Sequence, residues 1–398
     1  MSARSRPEGE GDSSAAPLAR RRALLAARGI EGAVLEEVLR YTDQAFRLPD
    51  SLRTLELPLP DEPHLEAWSG YLEDARRVGV FESLARRLVQ LRFPVAAGIS
   101  ERAEYRAVTR RGAPPPAGRL ALADPVGLEL RLHPTPAGRV PVLTARRRGD
   151  FELLVQALSG RNEPEPVPPA MGACMVAGLN NWDRIHALRR RWEAAGGDGE
   201  EGWWDEMARL KERRELYQDR LILLSVGPYS AVAAAELGLE EDDWLRRSLA
   251  IRLDHECTHY LTLRVLGAMR NNLLDELIAD YAGLIAGFGE YRAAVARRVL
   301  GLDESGAAIA GGRVGHYRGA PPLSGRAFAA VRALTVDATA NLEALFRSAP
   351  QELCEPAALG WTLLALASRT LPELASPELC PRPEEILERP PSPDAVRG

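Results

Sequence analysis

His255-Glu256-Cys257-Thr258-His259 sets two imidazoles four residues apart, with a carboxylate beside the first, and Glu276 and Asp280 follow at the same spacing. On a helix, residues four apart stack on one face, so His255 and His259 aim their rings at one point. Glu256 then stands about 100° round the helix from His255, within reach of a water on an ion held there. Two neutral nitrogens, an adjacent carboxylate base and a third ligand from elsewhere are what a zinc hydrolase needs. The chain has only six histidines, so this grouping is hard to obtain by accident.

The motif helix is expected to run from Asp242 to Leu266 and to stop at Gly267, a natural residue just past a helix end. Round its axis from His255, His259 lies about 40° away, Ser248 and Leu266 about 20°, and Arg252 about 60°. Cys257 falls about 200° away, which keeps it off the same ion and leaves it as a packed thiol. A second helix from Asn272 carries Glu276 and Asp280, with the small residues Ala279, Gly283 and Gly287 on the same side. Glu276 reads as the third ligand and Asp280 as the carboxylate behind a histidine's other ring nitrogen, with an exchange of the two roles still open. Asn272, Asp275 and Glu276 in a first turn also suit the helix dipole, a reason for acidic residues that involves no metal.

His255-Glu256-x-x-His259 followed by Glu276-x-x-Ala279-Asp280 resembles the gluzincin metallopeptidases, the thermolysin-like group, over about His255 to Gly283. The resemblance implies a zincin-like core that binds one zinc per chain through His255, His259 and Glu276. It makes Glu256 the general base and Asp280 the support of a histidine ligand. The implied reaction is attack of a zinc-activated water on an amide carbonyl, with Glu256 passing the proton to the leaving nitrogen. Such sites add a donor for the tetrahedral oxyanion, and gluzincins often recruit a His or Tyr from downstream. His316 and Tyr317, in the loop Gly315-His316-Tyr317-Arg318-Gly319, are the candidates for that role, against an ordinary surface turn.

Arg252 and Arg318 are candidates for contact with substrate. Their plainer roles are an i,i+4 pair with Glu256 for Arg252 and a surface ion pair for Arg318. Leu221 to Val226 reads either as an edge strand along which an extended peptide binds or as a fully buried strand.

These residues need a scaffold, and the pattern predicts an α+β chain, mainly helical, of 398 residues. Residues 1–18 read as a disordered tail, and 19–165 as an N-terminal α/β-containing region of unknown role. Helical periodicity covers 18–46 and 66–91, and short strand-like runs fall at 120–122, 127–132 and 140–144. The proline-rich stretch Glu163–Pro169 reads as a boundary, after which 170–375 forms the zincin-like domain. Helices are expected over 182–192, 203–216, 327–346 and 357–371, and 376–398 as a proline-rich tail.

Composition narrows the function classes. A net charge of −5 argues against a nucleic-acid footprint. One residue of the 51 basic ones, Lys211, is lysine, and arginine runs such as Arg189–Arg191 read as solvated faces. Four scattered cysteines give neither a disulfide framework nor a thiolate site. With no apolar run of about 18 residues and no secretory-type start, no membrane partner is expected and the compartment is expected to be the cytoplasm. The leading expectation is a zinc metallopeptidase acting on a peptide or protein. Two alternatives stand beside it: a non-catalytic zincin-fold binding or regulatory protein, and a di-iron carboxylate oxidase, which lacks its second Glu-x-x-His. Nothing in the sequence sets the oligomeric state.

Overall fold

In the computed structural model, which describes residues 15–43, 46, 54–269 and 272–387, the chain is mixed α and β and mainly helical. In order, the helices and strands begin with α1 (Ala15–Ala26), α2 (Gly32–Tyr41), α3 (His64–Val78), α4 (Val80–Ala85) and α5 (Ala103–Arg111). Then come β1 (Glu129–His133), β2 (Val140–Ala145), α6 (Arg148–Leu158), β3 (Ala173–Asn180), α7 (Trp182–Ala194), α8 (Glu200–Leu210) and β4 (Gln218–Ser225). The rest is helical: α9 (Glu241–Leu266), α10 (Leu273–Phe288), α11 (Ala293–Leu300), α12 (Gly325–Ser348), α13 (Pro356–Ala367), α14 (Leu371–Leu374) and α15 (Pro383–Leu387). No helix among the described residues is long and apolar enough to cross a membrane.

The chain divides into two compact units, one of residues 58–260 and one of residues 1–57 with 261–398. In the first, four strands form a sheet in the order β1-β2-β4-β3. β1 and β3 pair antiparallel with their neighbours, whereas β2 and β4 are parallel. A parallel pair needs a long crossover, and here everything from α6 to α8 lies between the two strands. The expected boundary at Glu163–Pro169 therefore falls inside this unit, because strands from both sides of it share one sheet.

Leu221-Ile222-Leu223-Leu224 is apolar at four successive positions, as suits a strand covered on both faces. Leu221 and Leu223 pack in a core with Leu143 of β2, Trp68 of α3, Leu84 of α4, and Phe151 and Leu154 of α6. On the other face Val142 and Ile222 are equally buried. β4 is thus an interior strand between β2 and β3, and the edge-strand reading of Leu221–Val226 is corrected. Where β4 begins, the fully buried Asp219 accepts hydrogen bonds from Trp68 Nε1 (2.8 Å) and Asn181 Nδ2 (2.6 Å) and pairs with Arg184. A buried carboxylate needs such partners.

Several expectations shift. Helix α1 starts at Ala15, within the expected tail, and residues 1–14 lie outside the described ones. Likewise α15 interrupts the expected C-terminal tail, of which 388–398 lie outside the described residues. Leu120–Leu122 makes no strand, the Leu120 N–H bonding instead to the Leu91 carbonyl at 2.9 Å. β3, α5, α6 and α11 are additions that hydrophobic periodicity left unmarked.

His133, at the end of β1, generates a test of this unit. Burial first, and the Arg131 charge second, lower its pKa from 6.5 to about 4. A depressed histidine stabilises the fold fully above its unfolded value, and that contribution is lost as pH falls from about 6.5 through 4. His133→Asn is expected to flatten stability across that window, as read by urea midpoints at a series of pH values.

Candidate metal centre

α9 holds the motif, starts one residue before the expected Asp242, and gives way at Gly267, whose φ of +69° suits a residue without a side chain. His255 and His259 are both buried on it. Their Nε2 atoms face each other at 3.1 Å, with the ring planes 83° apart. One ligand atom from each of His255, His259 and Glu276 lies within 4.8 Å of the other two. The resemblance implies the same three residues, and Asp280 is not a member of the group.

Glu276 comes from α10, which is buried at every position from Leu273 to Ile285. Two contacts secure its first turn: Asn272 caps it, its side chain accepting from Asp275 N at 3.0 Å, and the Leu273 N–H donates to Tyr41 Oη at 3.2 Å. Asp280, fully buried one turn on, pairs with Arg313, whose other amino group lies 3.3 Å from Glu276 Oε2. Tyr317 is buried beside them, close enough to Glu276 that the carboxylate's charge raises its pKa. Burial, more than any neighbouring charge, drives the Tyr317 pKa well above its ordinary value. Tyr41 Oη also donates to the Tyr317 carbonyl at 2.7 Å, so one phenol ties the start of α10 to this loop.

The loop that delivers Arg313 and Tyr317 depends on a close backbone crossing. A Cβ on Gly301 would stand 2.5 Å from the Gly312 Cα, and the Gly301 φ is +83°. Only glycine fits such an approach.

The remaining candidates separate. Glu256 is half-buried, and its charge, after burial itself, helps push the Cys174 thiol on β3 up to about 12. Arg252, expected to meet substrate or Glu256, is a correction. Its guanidinium donates to the carbonyls of Ser225 (3.2 Å), Gly227 and Pro228 (2.7 Å), and burial lowers its pKa to about 10. It lies so close to Gly172 that a Cβ there would be 2.1 Å from its Nε. Arg318 is a second correction: it donates to the Leu323 carbonyl at 2.8 Å and lies over the Phe328 ring, closing its own turn. His316 is exposed in the turn 313–316, and among the described residues no hydrogen bond joins it to the candidate ligands. Of the two expected oxyanion donors, only Tyr317 reaches the site.

Two residues escaped the sequence reading. Arg313 lies two positions before the flagged loop and carried no spacing signal toward Glu276 and Asp280, 37 and 33 residues away. Tyr229 is buried, and its hydroxyl sits 3.0 Å from His255 Nδ1. It follows Gly227-Pro228, which a sequence reader takes as a turn and passes over.

Residues 23–378 match the model of a family described as "Family of unknown function (DUF7005)". The chain belongs to DUF7005. The DUF7005 match takes in every candidate ligand as well as Tyr229, Arg313 and Tyr317. No curated protein and no solved structure matches the chain.

Removing Arg313 tests the electrostatics. With Asp280 fully buried and Arg313 nearly so, Arg313→Met at neutral pH is expected to cost about 3–5 kcal/mol, the scale for breaking a buried pair. Arg313→Lys, which keeps a positive charge, is expected to lose less than Arg313→Met. Equal losses for the two variants in urea unfolding would show that packing, not charge, is what Arg313 provides.

Proposed function

We propose that this chain is a zinc-dependent hydrolase with a zincin-like core, and that it cleaves amide bonds in a peptide or protein. The observation that carries the reading is the convergence of His255 and His259, whose Nε2 atoms are 3.1 Å apart. Two nitrogens bound to one tetrahedral zinc at 2.0–2.1 Å would be separated by about 3.3 Å. The donor set also fits: two imidazoles and one carboxylate make a three-ligand catalytic site with one position left over. Arg313 and Tyr317 engage the Glu276 carboxylate in the way that ligating carboxylates are usually supported.

Zinc, when bound, supplies Lewis acidity and brings the pKa of a coordinated water toward neutrality. The chain's own residues do the rest. Glu256, next to His255 and half-buried, accepts the water's proton and returns it to the departing nitrogen. His255, His259 and Glu276 would hold the ion, and all three are buried. Asp280 and Arg313 balance the charge beneath Glu276.

The test starts with metal content on protein purified without added metal and then offered zinc. About one zinc per chain is expected, lost in His259→Ala and in Glu276→Ala, with folding checked by circular dichroism. Glu256→Gln should keep the zinc and lose on the order of 10²–10⁴-fold in hydrolysis of a peptide library. No zinc in a well-folded wild type would make the 3.1 Å contact a histidine–histidine hydrogen bond and end the hydrolase reading. Zinc without any hydrolysis would favour a binding role for the same fold.

A further inference from the structure

We propose that Tyr229 is a positioning residue: it holds His255 as the tautomer protonated on Nδ1, with Nε2 left as a lone pair turned toward His259. Its purpose rests on the metal reading above, but its test does not.

A ring that binds metal through Nε2 carries its proton on Nδ1 and donates it to an outer partner. Such partners are usually carboxylates, carbonyls or waters. Here the Tyr229 hydroxyl lies at hydrogen-bond distance from Nδ1, 3.0 Å away. A hydroxyl accepts as readily as it donates, so it can accept a hydrogen bond from Nδ1–H without placing a second negative charge beside the site.

The segment 225–232 is built to deliver that hydroxyl. Trp244, Ser248 and Arg252 stand four apart on α9 and form one stripe that leads to His255. Trp244 Nε1 donates to the Val232 carbonyl at 2.7 Å, and Ser248 Oγ accepts from Tyr229 N at 2.9 Å. Arg252 holds the carbonyls of Ser225, Gly227 and Pro228. Three successive turns of the helix thus clamp one strap. Just beyond Tyr229 the strap adopts a backbone that side chains rarely take: φ is +52° at Ser230 and +57° at Ala231. Non-glycine residues persist there only when their surroundings over-determine them, and such outliers gather at functional sites. A loop that needed only to join β4 to α9 would have no use for this conformation. A loop that must aim one phenol at one ring nitrogen does.

The experiment records ring ¹⁵N shifts of His255 in zinc-free protein, at a pH well above the ordinary histidine value, for wild type and Tyr229→Phe. A single Nδ1–H tautomer in wild type that becomes a mixture in the variant is expected. Ser248→Ala, which loosens the strap and spares the hydroxyl, should give an intermediate mixture and guards against misfolding of the first variant. An Nε2–H tautomer in wild type, or the same tautomer in all three, overturns the proposal. Zinc titration adds a second readout, with roughly 10–100-fold weaker binding expected for Tyr229→Phe. Equal affinity also overturns it. If none of the proteins binds zinc, the metal reading fails while the ring shifts still decide the role of Tyr229.

Discussion

Ionisable groups withdrawn from water must be matched, and that constraint shapes both site helices. α10 is covered along thirteen successive residues, yet three of these are the acids Asp275, Glu276 and Asp280. Acidic side chains are almost never fully buried without partners. Arg313 answers Glu276 and Asp280 together, and the glycine crossing at Gly301 and Gly312 lets its loop come close enough to do so. On α9 the same demand is met from the other direction. Ser248 and Arg252 satisfy the backbone of a strap whose tyrosine satisfies His255. Polar chemistry in the interior is thus possible here because loops without regular structure were recruited to complete it.

This division explains what could be read from the sequence. The choice of Glu276 over Asp280 rested on the resemblance and not on periodicity. The helical period put His255 and His259 on one face, since spacing within a helix is a local property. Helix α9 and the cap at Asn272 were legible for the same reason: start and stop residues act on their own turns. Parallel pairing of β2 with β4 was not, because it joins residues about eighty positions apart through a crossover. β3, Ala173–Asn180, lacks the alternation that marks a half-covered strand, and its register slips at Ala177/Leu179. Arg252 illustrates the subtler failure. Its angular position beside the histidines was right and its partner was wrong, since a periodicity says where a side chain starts and not which loop arrives to meet it.

The supporting residues also give this chain's candidate centre a fuller chemical description than its motif does. A five-residue motif alone is a weak definition. The two imidazoles with a phenol behind one of them, and the glutamate with a guanidinium and a second phenol, make a fuller one.

The division of the chain carries a consequence for how the protein is made. One unit is contiguous, 58–260, whereas the other joins residues 1–57 with 261–398. On the ribosome the contiguous unit is complete in sequence while α10 is still unmade. Helices α1 and α2 must wait for α14 and α12, on which they pack, until those later segments emerge. Synthesis runs at about 5–20 residues per second, so that interval lasts on the order of tens of seconds. A nascent chain at this stage already carries both histidines and lacks Glu276, so the three candidate ligands cannot meet until α10 has been made.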